Sequence, residues 1–190
     1  MTKRESILRA TMALIVEKGL HAVTFADIAK VAKVGIGAIY RRFKSKENIV
    51  QQIWIEQKKE EANFIFIDFK NEGTVKERFW FLWKRVIQYF DTHENEFYFS
   101  YHMANSPILT EDIDNVAMER FLLFNTIFQE GIEQRLFKEN LSARQLRLYT
   151  FSTINGWLLW VKDERLELTE QRVNQFLQMA WDAIKRSNFS

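Results

Sequence analysis

Apolar side chains recur along this chain three and four residues apart, and no run reads as period-2 strands bounded by turn clusters, so the pattern reads as one helix after another. Ile7, Ala10, Leu14 and Ile15 form a first stripe, closed by Gly19, a residue suited to the left-handed turn that ends a helix. Thr24 stands three residues ahead of Asp27, a capping-box-like start for a short helix with Ile28 and Ala32 on one face. A second short helix follows across Lys33-Val34-Gly35, with Ile36, Ile39 and Phe43 expected inward. Ser45 is the expected N-cap of a long fourth helix, apolar early at Ile49, Val50 and Ile53 and charged through 57–61. The run from Phe64 to Phe69 fits strand or helix by periodicity; its length and surroundings favour a buried helix end.

Beyond Gly73, Thr74 and Glu77 form a full capping box ahead of the clearest amphipathic helix, carrying Val75, Phe79, Leu82, Trp83, Val86, Ile87 and Phe90. A loop is expected over 91–95, a short helix over 96–105 and a break at Ser106-Pro107. One helix should then run from Thr110 to about Phe137, with Ile113, Val116, Ala117, Phe121, Phe124 and Phe128 inward. Ser142 and Gln145 cap a helix reaching about Lys162, apolar on every side in its second half. Thr169 opens the last, with Val173, Phe176, Leu177, Ala180, Trp181 and Ile184. The fold class is therefore all-α, with about nine helices. A helix apolar all round must be covered on more than one side, so the last two are expected to meet their copies as the four-helix bundle of a homodimer.

The stretch 24–46 says most about function. Opposite its expected inward residues, the second short helix carries Gly37, Ala38 and Arg41, flanked by Tyr40 and Arg42 and followed by Lys44 and Lys46. Small residues that allow close approach, ringed by cations and a phenol, suit a nucleic-acid groove. Thr24, Ile28-Ala29, Ala32-Lys33-Val34, Gly37, Ile39-Tyr40, Phe43 and Ser45-Lys46-Glu47 together closely resemble the DNA-binding motif of the TetR-type (TetR/AcrR) repressor family. Lys33, Gly35 and Ala38 stand where that family commonly has Gly, Ser and Thr, and the last two exchanges remove hydroxyls from the reading edge.

This resemblance implies a helix-turn-helix domain over 1–48 and a ligand-binding and dimerisation domain over 49–190, the latter pairing through its last two helices. Past residue 50 it is a resemblance of helix count and length. The expected DNA-binding set is Thr24, Gly35, Ile36, Gly37, Ala38, Tyr40, Arg41, Arg42 and Lys46. Within it Arg41 is assigned to a guanine and Ala38 to a thymine methyl. Thr24, Tyr40, Arg42 and Lys46 are assigned to phosphates, assisted by backbone N–H groups near Gly35 to Gly37.

Charge sharpens this division. Residues 1–50 carry ten Lys and Arg against four acids, and the remaining residues 17 against 21, so a basic head precedes an acidic body. The absence of Cys excludes disulfides and thiolate chemistry and fits a cytoplasmic protein. The charged N-terminus is no secretory signal, and no membrane span or membrane partner is expected. His21, His93 and His102 form no HExxH or Glu-x-x-His pattern, and Gly35-Ile36-Gly37 lacks the strand and third glycine of a dinucleotide loop. No enzyme, metal or cofactor is expected.

Seventeen Phe and six Trp read either as ordinary core or as the lining of a pocket for a small hydrophobic or aromatic effector. Its candidate lining is Phe66, Trp80, Trp83, Phe90, Phe99, Tyr101, Phe121, Phe124 and Trp157, with Asn125, Gln129 and Asn155 for orienting hydrogen bonds. Gly156, in the middle of a helix, implies close contact with another helix or a ligand-dependent bend. The expected function is a dimeric transcriptional regulator, a repressor of a palindromic double-stranded DNA operator released by that effector. The alternative is a helical small-molecule-binding or scaffold protein without sequence-specific DNA recognition, motivated by Gly35 and Ala38.

Overall fold

Thr24 and Ser142 each accept a backbone N–H from the third helical residue, while Asp27 and Gln145 reach back to close the box. Thr74 and Glu77 do the same at 2.8 and 3.2 Å. These side chains start helices because they satisfy N–H groups that have no partner within the helix. A computed structural model describes residues 1–186. These form α1 (Lys3–Lys18), α2 (Phe25–Ala32), α3 (Ile36–Tyr40), α4 (Lys46–Phe66), α5 (Val75–Thr92), α6 (Glu94–Met103), α7 (Glu111–Met118), α8 (Leu122–Glu133), α9 (Ala143–Asp163) and α10 (Glu170–Ile184). No strand forms among the described residues beyond one isolated bridge between Phe137 and Lys185. No helix among them is long and apolar enough to cross a membrane.

The chain divides into two compact units. The first comprises 1–61 and 92–119, and so takes in more than the 1–48 expected from the sequence: most of α4 and all of α6 and α7 join it. Its core gathers Ile7, Ile15, Ile28, Ile39, Phe43, Val50, Ile53, Phe99 and Met103. Within it α4 and α6 share a buried polar cluster. Gln57 donates to the Glu96 carbonyl and to Ser100 Oγ, both at 2.7 Å. Lys58 pairs with Glu61 at 2.7 Å and lies 4.8 Å from the Trp54 ring centroid. Burial pushes the Glu61 carboxyl above the usual carboxylate range, and the adjacent ammonium opposes that rise.

The second unit comprises 62–91 and 120–190. Trp83, Tyr89, Phe79, Phe121, Phe124, Phe128 and Phe137 are its largest fully buried side chains among the described residues, each phenylalanine contributing about 1.5–3 kcal/mol by leaving water. Arg78 is buried with them and is compensated by Glu130 and Asn71, both at 2.6 Å.

The single helix expected from Thr110 to Phe137 is instead two, separated by a 3-10 turn at Glu119–Phe121. A 3-10 turn advances about 120° per residue rather than 100°, which re-phases the faces. Phe121, Phe124 and Phe128 are buried as expected, but Val116 is 60% exposed. After α8 the chain reverses at Arg135, φ 57, and Phe137 folds back over Gly131 so closely that a Cβ there would collide with its ring. The Phe64–Phe69 run is helical to Phe66 and turns at Asp68, φ 63. The loop expected over 91–95 shrinks to His93, between the end of α5 and the start of α6.

Candidate nucleic-acid interface

α2 and α3 meet across Lys33, which closes α2 in the left-handed region at φ 53, ψ 45. Thr24 Oγ accepts from Asp27 N–H at 3.1 Å and donates to the Asp27 carboxylate at 2.7 Å. Lys18 reaches that same carboxylate at 2.9 Å and ties the end of α1 to the start of α2. The Thr24 hydroxyl first, then Lys18 and the Thr24 N–H, hold the Asp27 carboxyl far below its ordinary range.

On α3 the sequence reading exchanged two residues. Ile36, expected as an inward anchor, is 45% exposed, and Ala38, expected to reach a thymine methyl, is 6% exposed. The inward direction bisects Ala38 and Ile39, and at 100° per residue Ile36 then stands about 110° off that centre, among the outward residues. With only five residues in the helix, Phe43 belongs to the turn beyond it and is a poor guide to its faces. The outward surface is therefore Gly35, Ile36, Gly37, Tyr40 and Arg41. Nothing lies within 4 Å of where a Cβ would stand at Gly35 or Gly37, and Tyr40 is braced edge-on by Phe25 at 5.0 Å. The hydroxyl missing at Ala38 is missing from the inner side, so its loss does not argue against DNA reading.

The head's cations divide into two sets. Arg4 bonds Glu56 and, at 3.0 Å, Gln52; Arg42 donates to the Ala38 carbonyl at 3.2 Å. Lys46 donates to the Leu20 and Val23 carbonyls at 2.8 and 3.0 Å. Lys30, Lys33, Arg41 and Lys44 stand exposed. Sequence reasoning assigned Lys46 to a phosphate, and it had no means of seeing carbonyls 23 and 26 residues away.

The residues proposed for an effector fall in several places. Phe66, Trp83, Phe121 and Phe124 come together in the second unit, with Phe66 5.5 Å and Trp83 4.8 Å from Phe124. Phe151, which the sequence reading passed over, completes the set at 4.4 Å from Trp83 and 5.2 Å from Phe124. Its place one turn before Asn155 and three residues before the buried Ile154 was the available signal. Trp80 lies apart against Trp181, Phe90 against Tyr89, and Trp157 stacks on Phe176 at 4.3 Å. Phe99 is in the core of the first unit, and Tyr101 is exposed beside Phe97. The buried Oδ1 atoms of Asn125 and Asn155 have no hydrogen-bond partner among the described residues. Asn125 also lines an open groove of about 540 Å³ with Thr126, Gln129, Glu130, Glu133, Ala143 and Arg144. No group of His, Cys, Asp and Glu among the described residues is arranged to hold a metal ion.

Two short helices across a tight turn, an outward edge of small and apolar residues and a rim of exposed cations define the first unit as a helix-turn-helix DNA-binding domain. Residues 7–53 match the family model for bacterial regulatory proteins of the tetR family, so the head of this chain is similar to the DNA-binding domain of those transcriptional regulators. The chain is 27% identical over 169 residues to the fatty acid metabolism regulator protein of Bacillus subtilis, covering 86% of each chain. Among solved structures, a putative tetR-family regulator from Shewanella sp. PV-4 superposes with a TM-score of 0.88 at 19% identity, over 98% of this chain and 100% of that one. The B. subtilis regulator FadR in complex with stearoyl-CoA superposes at 0.77 with 24% identity, over 95% and 98%.

Proposed function

We propose that this protein is a homodimeric, cytoplasmic repressor that grips a palindromic operator through α3 and lets go when an apolar small molecule occupies its second unit. The observation that carries the reading is the outward edge of α3, where Ile36, Gly37, Tyr40 and Arg41 stand exposed beside untethered cations. Arg41 is the residue for a guanine edge, worth about 1–3 kcal/mol of discrimination if bidentate, and Ile36 takes the thymine-methyl role first given to Ala38. Two heads would enter major grooves one helical turn apart, about 34–36 Å.

The second copy has a surface to meet. Leu148, Tyr149 and Trp160 on α9 and Met179 on α10 are exposed, and Gly156 lies in open space on the same stretch of α9. Among the described residues nothing lies within 4 Å of where a Cβ would stand at Gly156, which leaves room there for a partner's helix.

The proposed effector site is Phe66, Trp83, Phe121, Phe124 and Phe151, with Asn125 next in sequence to Phe124 and Asn155 one turn beyond Phe151, their buried Oδ1 atoms without a partner among the described residues. An unpaired buried acceptor costs about 1–3 kcal/mol, which a ligand carrying N–H or O–H groups would recover. The likeness to a regulator solved with stearoyl-CoA supports a long apolar body for that ligand. Release follows only if the ligand binds the DNA-free conformer more tightly.

Selection of bound fragments from random duplex DNA tests the central reading. An enriched palindrome, lost or blurred at one position per half-site in Arg41→Ala, is the expected result; indifference to duplex DNA at low salt would sink it. Acyl-chain ligands should then lower operator affinity, and a ligand bound equally well with and without operator would remove the release mechanism.

A further inference from the structure

We propose that Lys33 is a phosphate-binding residue of this head, kept in a left-handed turn where glycine would be more stable, because Lys46 is committed inward as a clamp. The inference rests on the DNA-binding reading above. Lys33 ends α2 at φ 53, ψ 45, with its N–H directed to the carbonyls of Ala29 and Lys30. In that region an L side chain crowds the backbone and glycine does not. The strain brings no internal return, since the side chain is exposed and its ammonium makes no ion pair among the described residues. Its position, however, is the turn itself. Three residues on lies Ile36, the exposed first residue of α3, and the surface at Gly35 and Gly37 on either side of it is open. A cation there has value only to an anion outside the chain, and the anion that α3 meets is the DNA backbone.

Lys46 explains why a further cation is needed. Two of its three N–H bonds go to the Leu20 and Val23 carbonyls of the turn between α1 and α2. Val23 immediately precedes Thr24, the cap of α2, so Lys46 fastens the first turn of α4 to the entry of the motif. It is a positioning residue: a shift of α4 is passed to α2 through these two bonds, and two of its three donors are already taken.

The test uses the full chain and an operator duplex recovered by selection, with affinity measured between 50 and 300 mM salt and thermal unfolding followed in parallel. Each phosphate contact contributes about 0.9 to the slope of log K against log salt. Lys33→Gly should lower the slope by about 1 and weaken binding about 5-fold at 0.1 M salt. The same change should raise the unfolding midpoint by about 2 °C as strain is relieved. Lys33→Ala should lose the same slope without the rise, and Lys33→Arg should restore it. Lys46→Ala should lower the midpoint and leave the slope unchanged. A wild-type slope in Lys33→Gly overturns the assignment of Lys33. A slope lowered by about 1 with an unchanged midpoint in Lys46→Ala overturns the clamp. Failure of the wild-type chain to bind any duplex overturns instead the DNA-binding reading on which both depend.

Discussion

Asp27 shows how one exposed carboxylate can organise the entry to a recognition motif. It takes the Thr24 hydroxyl, the Lys18 ammonium and the Thr24 N–H, and its carboxyl is held below the ordinary value of 3.8. The sign follows from linkage. A carboxyl with a depressed folded pKa stabilises the fold fully at pH values above its unfolded pKa, and that stability is lost as pH falls from 3.8 towards the folded value. The wild-type chain should therefore lose unfolding temperature faster than Asp27→Asn when titrated from about pH 5 to pH 3, as followed by circular dichroism. Parallel curves would show that the box contributes nothing through its charge. The Thr24, Thr74 and Ser142 caps were legible because a cap is local, three residues from donor to acceptor. Lys46 was not, because a long side chain's destination is set by neighbours that only the folded chain supplies.

At the scale of elements, the buried cluster joining α4 to α6 is the least expected feature of the first unit. Residues 57–61 are the charged run of α4, yet Gln57, Lys58 and Glu61 are buried. A run of charged letters reports composition, and only α6 lying against it, with Ser100 and the Glu96 carbonyl, turns it into core. Removing one partner of such a pair leaves a buried charge and costs about 3–5 kcal/mol, whereas replacing both can be nearly neutral. Lys58→Met and Glu61→Leu should each destabilise strongly, and the double variant should be more stable than either by at least about 1 kcal/mol. Additive losses in urea unfolding would deny the coupling. The same limit explains α7 and α8: no residue in 118–122 announces a break, and the 3-10 turn follows from the aromatic packing of Phe121 and Phe124. On α3, too, five residues gave too short a window for periodicity to tell Ile36 from Ala38.

For the whole molecule, the sequence made the head readable because its motif spacing is dense. It left the body to helix count and apolar faces, because aromatic residues fill cores and line pockets alike. The one exception was the excess of apolar surface on the last two helices, which a single chain leaves unsatisfied: Trp160 is 50% and Met179 69% exposed. Patches of this kind on a folded chain mark association surfaces. The paired variant Trp160→Glu with Met179→Glu adds four like charges where two copies would face each other, and it touches no residue of the head. It should sediment as a folded monomer at micromolar concentration. Joining two heads makes the second half-site contact intramolecular, so the monomer should lose operator affinity by about 10²–10⁴-fold while keeping its weak affinity for an isolated half-site. A variant that sediments as a dimer and holds the full operator like wild type would place the interface elsewhere. A monomer with undiminished operator affinity would mean instead that a single head, with Arg41 and Ile36 at its edge, reads DNA without a partner.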